Sequence, residues 1–277
     1  MQLEKFQLKD KTALITGAGG LLGFEHAMAL LEVDANIVLT DIDEYNLQIN
    51  KGKLEKFYPN SEIYSYVIDI SSKISILDAL QDLKRNKIYV DILINNAAIN
   101  PKVNKDLKLN SSPRFENFSI DEWNKQIQVG LTGAFLCSQI FGTEMSTSKR
   151  GGCILNIASD LSVIAPDQRI YRKDDLSDFE QPVKPVTYSV IKTGLVGLTK
   201  YLATYWINSN IRCNSLSPGG VYTDQPNDFV DKLSSLIPLG RMAFKDEYRS
   251  AIQFLCSEAS SYMNGHNLVI DGGRSIW

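Results

Sequence analysis

The segment that most restricts the fold is a glycine-rich turn between two apolar runs. Thr12-Ala-Leu-Ile-Thr16 opens into Gly17-Ala-Gly-Gly-Leu-Leu-Gly23, Gly23 to Leu31 reads as a helix, and Asn36-Ile-Val-Leu-Thr40 follows at once. Two short apolar runs joined through a helix form a βαβ unit, whose strands must lie parallel. Further strands are expected at Tyr64 to Ile68, Ile92 to Ile94, Cys153 to Ile157, Ile211 to Leu216 and Leu268 to Ile270, separated by helix-length amphipathic stretches. The alternation predicts an α/β fold of Rossmann type, a doubly wound parallel sheet of about seven strands with helices on both faces. The 277 residues, 44% hydrophobic and without a Pro- or Ser-rich linker, read as one domain. In such sheets ligands bind beyond the carboxyl ends of the strands, so the residues just after each apolar run are where chemistry is to be sought.

Charge and cysteine usage exclude several classes of function. Lys and Arg number 29 against 32 Asp and Glu, a net charge of -3, which gives no general attraction for nucleic acid or an anionic membrane. Met1 to Lys11 has no apolar signal core, and no run reaches the length of a membrane span, so a cytoplasmic location and a small-molecule partner are expected. Cys137, Cys153, Cys213 and Cys256 are scattered, and the chain has only two histidines, His26 and His266. Reduced, mostly buried thiols are expected, and no metal site.

The first strand end is suited to a dinucleotide. Glycines let the backbone turn tightly against a pyrophosphate, and the helix that follows presents its positive end to the charge. Gly17, Gly19, Gly20, Leu21, Leu22 and Gly23 make up this candidate cradle. Asp41, directly after the second run, is placed where a carboxylate accepts from both hydroxyls of an adenine ribose; alternatively Asp41 or Asp43 caps the next helix. No Lys or Arg lies in the turn or directly after Asp41, so NAD is expected over NADP.

Tyr188 and Lys192 stand four residues apart and so share one helical face. An ammonium beside a phenol stabilises the phenolate and moves an ordinary pKa near 10 towards the working range. Such pairs also arise by chance on solvated helices, and the rest of the chain decides between the two readings.

With these residues in order, the chain resembles the short-chain dehydrogenase/reductase family over nearly all its length. The marks are Thr16-Gly17 through Gly23, Asp69 after the third strand, Asn95-Asn96-Ala97-Ala98 after the fourth, Ser159 after the fifth, Tyr188 with Lys192, and Ser217-Pro218-Gly219 after the sixth. The resemblance implies that Asp69 and Ile70 contact the adenine and that Asn95 and Ala97 line the adenosine ribose side of the cleft. It further implies cofactor contacts at Pro218, Gly219 and Val221, with Thr223 reaching the nicotinamide carboxamide. It makes Tyr188 the proton carrier, Ser159 a hydrogen-bonding partner of the reacting oxygen, and Lys192 both a tuner of Tyr188 and a partner of the nicotinamide ribose.

Three departures stand out. Leu21 replaces the usual middle glycine of the cradle. Gly130 stands where the family places a catalytic asparagine, with Gln126 a weak stand-in. Ser159 and Tyr188 are 29 positions apart, so an insertion, about 167–184, lies between them. It carries Arg169, Tyr171, Arg172 and Lys173, then Asp174, Asp175, Asp178 and Glu180, and reads either as a polar flap over the nicotinamide or as a solvated loop. Asn100 to Asn117 is a second polar segment placed to form a rim, and the resemblance implies a mobile substrate loop at Asp224 to Leu236.

A narrower resemblance lies in Lys184 to Lys192, Leu198 to Trp206 and Asp271 to Trp277, which look like the flagellin modification protein A group. It implies a sugar or sugar-phosphate precursor of surface glycans as substrate. A 3-oxoacyl or small-ketone reductase is the alternative within the enzyme class, and a catalytically silent dinucleotide-binding module the alternative outside it. A homo-oligomer, dimer or tetramer, is expected through Trp123 to Met145 and Thr187 to Trp206, with Leu195, Leu198 and Leu202 on a face that could meet a partner or be buried at home.

Overall fold

The structure, a computed structural model, describes residues 2–99 and 113–277. β1 (Thr12–Thr16) is buried at all five positions, as a central strand covered on both faces must be. Its neighbours are β2 (Asn36–Asp41) on one side and β4 (Ile92–Asn95) on the other, both parallel to it. β3 (Ile63–Val67), β5 (Gly152–Ile157), β6 (Ile211–Pro218) and β7 (Asn267–Ile270) complete a seven-stranded sheet in the order β3-β2-β1-β4-β5-β6-β7. Every pairing is parallel. The order reverses between β1 and β4, which opens a crevice at their carboxyl ends. All seven expected strands are present, the third one residue earlier than predicted.

The helices cover the two faces with separate cores. α1 (Leu21–Leu31), α2 (Glu44–Phe57) and α8 (Arg249–Cys256) pack over Ile15, Ile37, Leu39 and Leu155. α3 (Lys73–Arg85), α5 (Gly133–Thr147) and α6 (Val186–Tyr205) pack over Leu14, Val38, Leu93 and Ile154. Arg249 of α8 bridges Glu25 of α1 and Glu32, which caps its end, at 2.5 and 2.8 Å, joining the two helices in one layer. α7 (Asn227–Ser234) stands apart, above the carboxyl end of β6. No helix among the described residues is long and apolar enough to cross a membrane.

The stretch expected as a single helix from Trp123 to Met145 is divided. α4 (Ile120–Ile127) leads into a wider π turn, Gln128–Thr132, before α5 begins. The turn brings Gly130 and Gly133 against neighbours so close that an added Cβ would lie 2.8 Å from Ile191 and 2.7 Å from Ile70. The glycines thus permit the contact that the irregular turn makes.

Leu195 and Leu202, which the sequence left either facing a partner or buried at home, are 3% and 5% exposed and pack within the subunit. The face that α6 leaves open carries Val190, Tyr201 and Tyr205 instead, with Phe135 of α5 also exposed. Leu202 joins the core over the sheet and Leu195 packs with Ala134 of α5 and Ile191, contacts that the 3.6-residue period alone could not distinguish from a partner-facing flank.

Phe141 is the largest side chain of the second core with almost no exposure. Truncation to alanine is expected to cost about 3–5 kcal/mol, read as a shifted midpoint in chemical denaturation with an unchanged slope.

Candidate active site

The phosphate cradle rests on contacts that exclude side chains. Gly17 has φ +67°, and a Cβ there would come within 2.7 Å of the Ala97 backbone. A Cβ at Gly23 would collide with the Gly17 carbonyl. Gly20 caps α1 in extended conformation, and Leu21 is the first helical residue, 43% exposed. Leu21 is not among the residues with positive φ, so the position tolerates a Cβ and the turn survives the lost glycine.

Asn96 fastens this turn to β4. Its side chain donates to the carbonyls of Thr16 and Gly17 at 2.9 and 3.2 Å, and the Thr16 hydroxyl accepts from the backbone N–H groups of Asn96 and Ala97. Asn95 behaves otherwise. It is 4% exposed and donates to Ser138 and Asn156 inside the sheet, so its side chain does not line the cleft as expected. Successive residues of a strand face opposite ways, and the paired asparagines could not be told apart from spacing.

Asp41 accepts from the Gly19 N–H at 2.9 Å and the Asp43 N–H at 3.0 Å. Asp43, not Asp41, caps α2, accepting from Asn46 N–H. The Asp41 carboxylate therefore sits at the mouth of the glycine turn. Asp69 accepts from both the N–H and hydroxyl of Ser71, while Ser72 caps α3, so Asp69 shapes the loop after β3 and is no helix cap. Ile70 is buried against Gly133. Pro218 ends β6, Gly219 lies so close to Asp271 that a Cβ would be 2.9 Å from its Cα, and Val221 pairs with Ala243. Thr223 is exposed, with its N–H bound to Gln225, four residues before α7. These groups border the carboxyl ends of β1, β2, β3, β4 and β6.

Ser159, Tyr188 and Lys192 are brought together from β5 and α6. Lys192 is 5% exposed and donates to the Ile157 carbonyl at 2.7 Å, which locks the inner face of α6 onto the end of β5. Ser159, 5% exposed, lies beside the Tyr188 phenol, whose anion its hydroxyl can stabilise. The Lys192 Nζ is 5.8 Å from the Tyr188 ring centre, whereas Lys184, at the end of the insertion, is 3.7 Å from it. Two ammonium groups thus flank the phenol where one was expected.

The electrostatics differ from expectation. Tyr188 is held above its ordinary pKa by burial, against the opposing Ser159 hydroxyl, with a smaller upward push from the Asp160 carboxylate. Burial outweighs the downward pull expected from Lys192. Lys192 itself is pushed down to about 8, by burial and then by the charge of Lys184. Lys184 is also pushed down to about 8 by burial, against the attraction of Asp160.

The insertion is an ordered flap. Ile170 is buried with Leu233, Ile237 and Met242, and Tyr171 meets the Phe229 ring at 5.6 Å. Gln181 binds Lys173 and Leu176 backbone from a buried position, and Lys173 pairs with Asp228 of α7 at 3.3 Å. Arg169 and Arg172 pair with Asp167 and Asp178 of the flap itself, and Asp174, Asp175 and Glu180 are exposed. Of its charged groups, Lys184 is the one placed against the Tyr188 ring. Most of the expected second rim, Asn100 to Asn117, lies outside the described residues. A cavity of about 620 Å³ opens beside the flap base, between Pro113–Glu116, Leu161–Pro166 and the first turns of α6, and neither Ser159 nor Tyr188 lines it.

A short-chain dehydrogenase family model matches residues 11–171, more than half of the chain, and a model described as enoyl-(acyl carrier protein) reductase matches residues 180–275. The chain belongs to the short-chain dehydrogenase family. It is 31% identical to an NAD-dependent glycerol dehydrogenase of Listeria innocua, over 98% of this chain and 96% of that one. To a 2-dehydro-3-deoxy-D-gluconate 5-dehydrogenase of Bacillus subtilis it is 32% identical, over 98% and 96%. A solved gluconate 5-dehydrogenase from Burkholderia cenocepacia, in complex with NADP and tartrate, superposes with a TM-score of 0.82 at 28% identity, covering 99% of each chain. Short-chain dehydrogenases bind a nicotinamide dinucleotide, and the turn here has glycine at Gly17, Gly19 and Gly23, where an added Cβ would strike Ala97, Asp41 or the Gly17 carbonyl.

Sequence reading missed Asn96 as the fastener of the cradle, and Lys184, Asp160 and Arg274 beside the catalytic group. Asp160 adjoins Ser159 in the chain, but nothing in the sequence brings Arg274 to it. Nor could spacing show that Ile191 fills the space beside Gly130, or that Gln126 accepts from Thr187 next to Tyr188 and so is already engaged. Gly130→Asn is expected to overpack this spot, with a loss of about 1–3 kcal/mol. Adding Ile191→Ala should recover most of it in denaturant titrations.

Proposed function

We propose that this short-chain dehydrogenase oxidises a secondary hydroxyl of a polyol or sugar acid with NAD as acceptor. The observation that carries the reading is the convergence of Ser159, Tyr188 and Lys192 beside a cradle built without side chains at the switch point of the sheet. Gly17, Gly19, Gly20, Leu21, Leu22 and Gly23 would hold the pyrophosphate. Asp41 would accept from the adenosine ribose hydroxyls, Asp69 and Ile70 would border the adenine, and Ala97, with the Asn95 backbone, would lie along that ribose. Pro218, Gly219, Val221 and Thr223 would face the nicotinamide end. When bound, the dinucleotide supplies a hydride acceptor with positive charge.

The substrate hydroxyl gives its proton to the Tyr188 oxygen, and Ser159 holds the reacting oxygen in place. Lys192 keeps a cation beside the phenolate and has further N–H donors for a ribose hydroxyl. Asp41 supports NAD, because a carboxylate repels a 2′-phosphate. The relatives named above act on glycerol or a sugar acid by their names, which supports a hydroxylated substrate. So does a catalytic group flanked by Lys184 and Asp160, surroundings ill suited to an acyl chain. The likeness of Lys184 to Lys192 to flagellin-modification oxidoreductases supports a surface-glycan precursor as the physiological member of this class. The exposed Val190, Tyr201, Tyr205 and Phe135 support a homo-oligomer.

Assayed with glycerol, threitol, gluconate and sugar phosphates, the enzyme should form NADH faster than NADPH. Exclusive turnover of apolar ketones with NADPH would refute the reading. Tyr188→Phe should lose about 10²–10⁴-fold in rate while binding NAD as the parent does. Asp41→Ala should narrow the preference for NAD over NADP by roughly tenfold or more, read as the ratio of kcat/KM values.

The pH dependence follows from the raised Tyr188 phenol. The phenolate forms only as pH climbs, so oxidation should accelerate through the alkaline range while ketone reduction, which needs the protonated phenol, stays level near neutrality. Oxidation that peaks in acid would contradict this.

A further inference from the structure

A buried ion pair connects the carboxyl-terminal segment to the catalytic serine. Asp160 is 3% exposed and Arg274 9%, and the Arg274 Nη1 meets the Asp160 Oδ2 at 2.7 Å. The other carboxylate oxygen, Oδ1, accepts from the Ser159 hydroxyl at 2.7 Å and from the Leu161 N–H at 2.8 Å. Ser159 Oγ in turn accepts from the same Leu161 N–H at 3.2 Å. A hydroxyl has a single proton, so Asp160 Oδ1 competes with the reacting oxygen for the proton of Ser159 and sets where that hydroxyl points before substrate arrives.

The arginine is itself held in place. It follows β7 in a turn whose N–H groups at Gly273 and Ser275 donate to the two Asp271 carboxylate oxygens, at 2.9 and 2.8 Å. The Trp277 indole donates to the Leu236 carbonyl, fixing the last residue. A buried pair is a poor source of stability, since desolvating both ions offsets most of their attraction. Its position gives it another use. A bare carboxylate next to Tyr188 would oppose the phenolate that alcohol oxidation needs, and Arg274 offsets part of that charge while leaving the acceptor for Ser159 intact.

We propose that Asp160, paired with Arg274, is a positioning residue that orients Ser159 against Tyr188, so that the carboxyl-terminal segment sets both the geometry and the charge of the reaction centre. The proposal rests on Tyr188 acting as the proton carrier. The groups facing its phenol come from four places. They are Ser159 and Asp160 after β5, Lys192 on α6, and Lys184 and Tyr171 on the flap; Arg274 beyond β7 acts through Asp160.

The test compares Asp160→Asn, Arg274→Met and Arg274→Lys in the full chain with NAD, using the alcohol that the parent turns over fastest. Asp160→Asn removes the negative charge and should move the acid limb of kcat/KM down by about one pH unit; Arg274→Met exposes that charge and should move it up by a similar amount. Both should lower kcat tenfold or more while the KM for NAD stays within about twofold, and Arg274→Lys should recover most of the rate. Limbs that stay in place, or move the same way in both variants, would overturn the proposal and leave a merely structural pair. The phenolate ultraviolet titration of each variant, minus the same variant carrying Tyr188→Phe, needs no substrate. It should show the same opposite shifts, and their absence would overturn the proposal. Opposite shifts in a protein that turns over no alcohol would instead reject the proposed oxidation and keep the pair.

Discussion

One hydrogen bond, from the Lys192 ammonium to the Ile157 carbonyl, governs the geometry of the reaction centre. It joins α6 to the last residue of β5, and everything catalytic is measured from that joint. Ser159 follows Ile157 by two residues, and Tyr188 precedes Lys192 by one helical turn. Binding the lysine to the strand end therefore fixes the distance between serine and phenol. The contact lies in a water-poor layer, where a charged donor is worth more than at the surface and its loss would leave a buried charge without a partner. Burial also pushes the ammonium down to about 8, so the joint that assembles the site operates near the pH at which it begins to lose its charge.

Around this joint the site is more heavily charged than a lone Tyr and Lys would suggest. Lys184 comes from the flap and Asp160 from the β5 end, both beside the phenol, and Arg274 from beyond β7 pairs with Asp160. The flap does this by packing on α7 through Ile170 and Tyr171, so the piece that carries Lys184 and the helix above the cleft share one small core.

The framework of the fold was legible because parallel strands buried on both faces must be short apolar runs. The cradle was legible because Gly17 and Gly23 stand where any Cβ would strike backbone. Tyr188, Lys192 and Ser159 were found through order along the chain. What stayed hidden depends on contacts between distant segments. Asn95 and Asn96 look alike in sequence, yet one faces the sheet interior and the other the turn. The π turn at Gln128–Thr132 follows from Gly130 meeting Ile191, sixty-one residues away in the chain. The flap's charges suggested a polar lid over the nicotinamide, but two pairs of them, Arg169 with Asp167 and Arg172 with Asp178, meet each other in solvent, and Lys184 was not singled out among them.

The account stands on hydride leaving a substrate carbon for NAD with Tyr188 taking the hydroxyl proton. The most direct measurement is mass spectrometry of the reduced dinucleotide after turnover of polyols and sugar acids deuterated at their carbinol carbons, in ordinary water. The account predicts one deuterium per reduced NAD from the parent enzyme and labelled product forming about 10²–10⁴-fold more slowly with Tyr188→Phe. Reduced NAD that carries no deuterium, or label transfer that persists undiminished without the phenol, would contradict it.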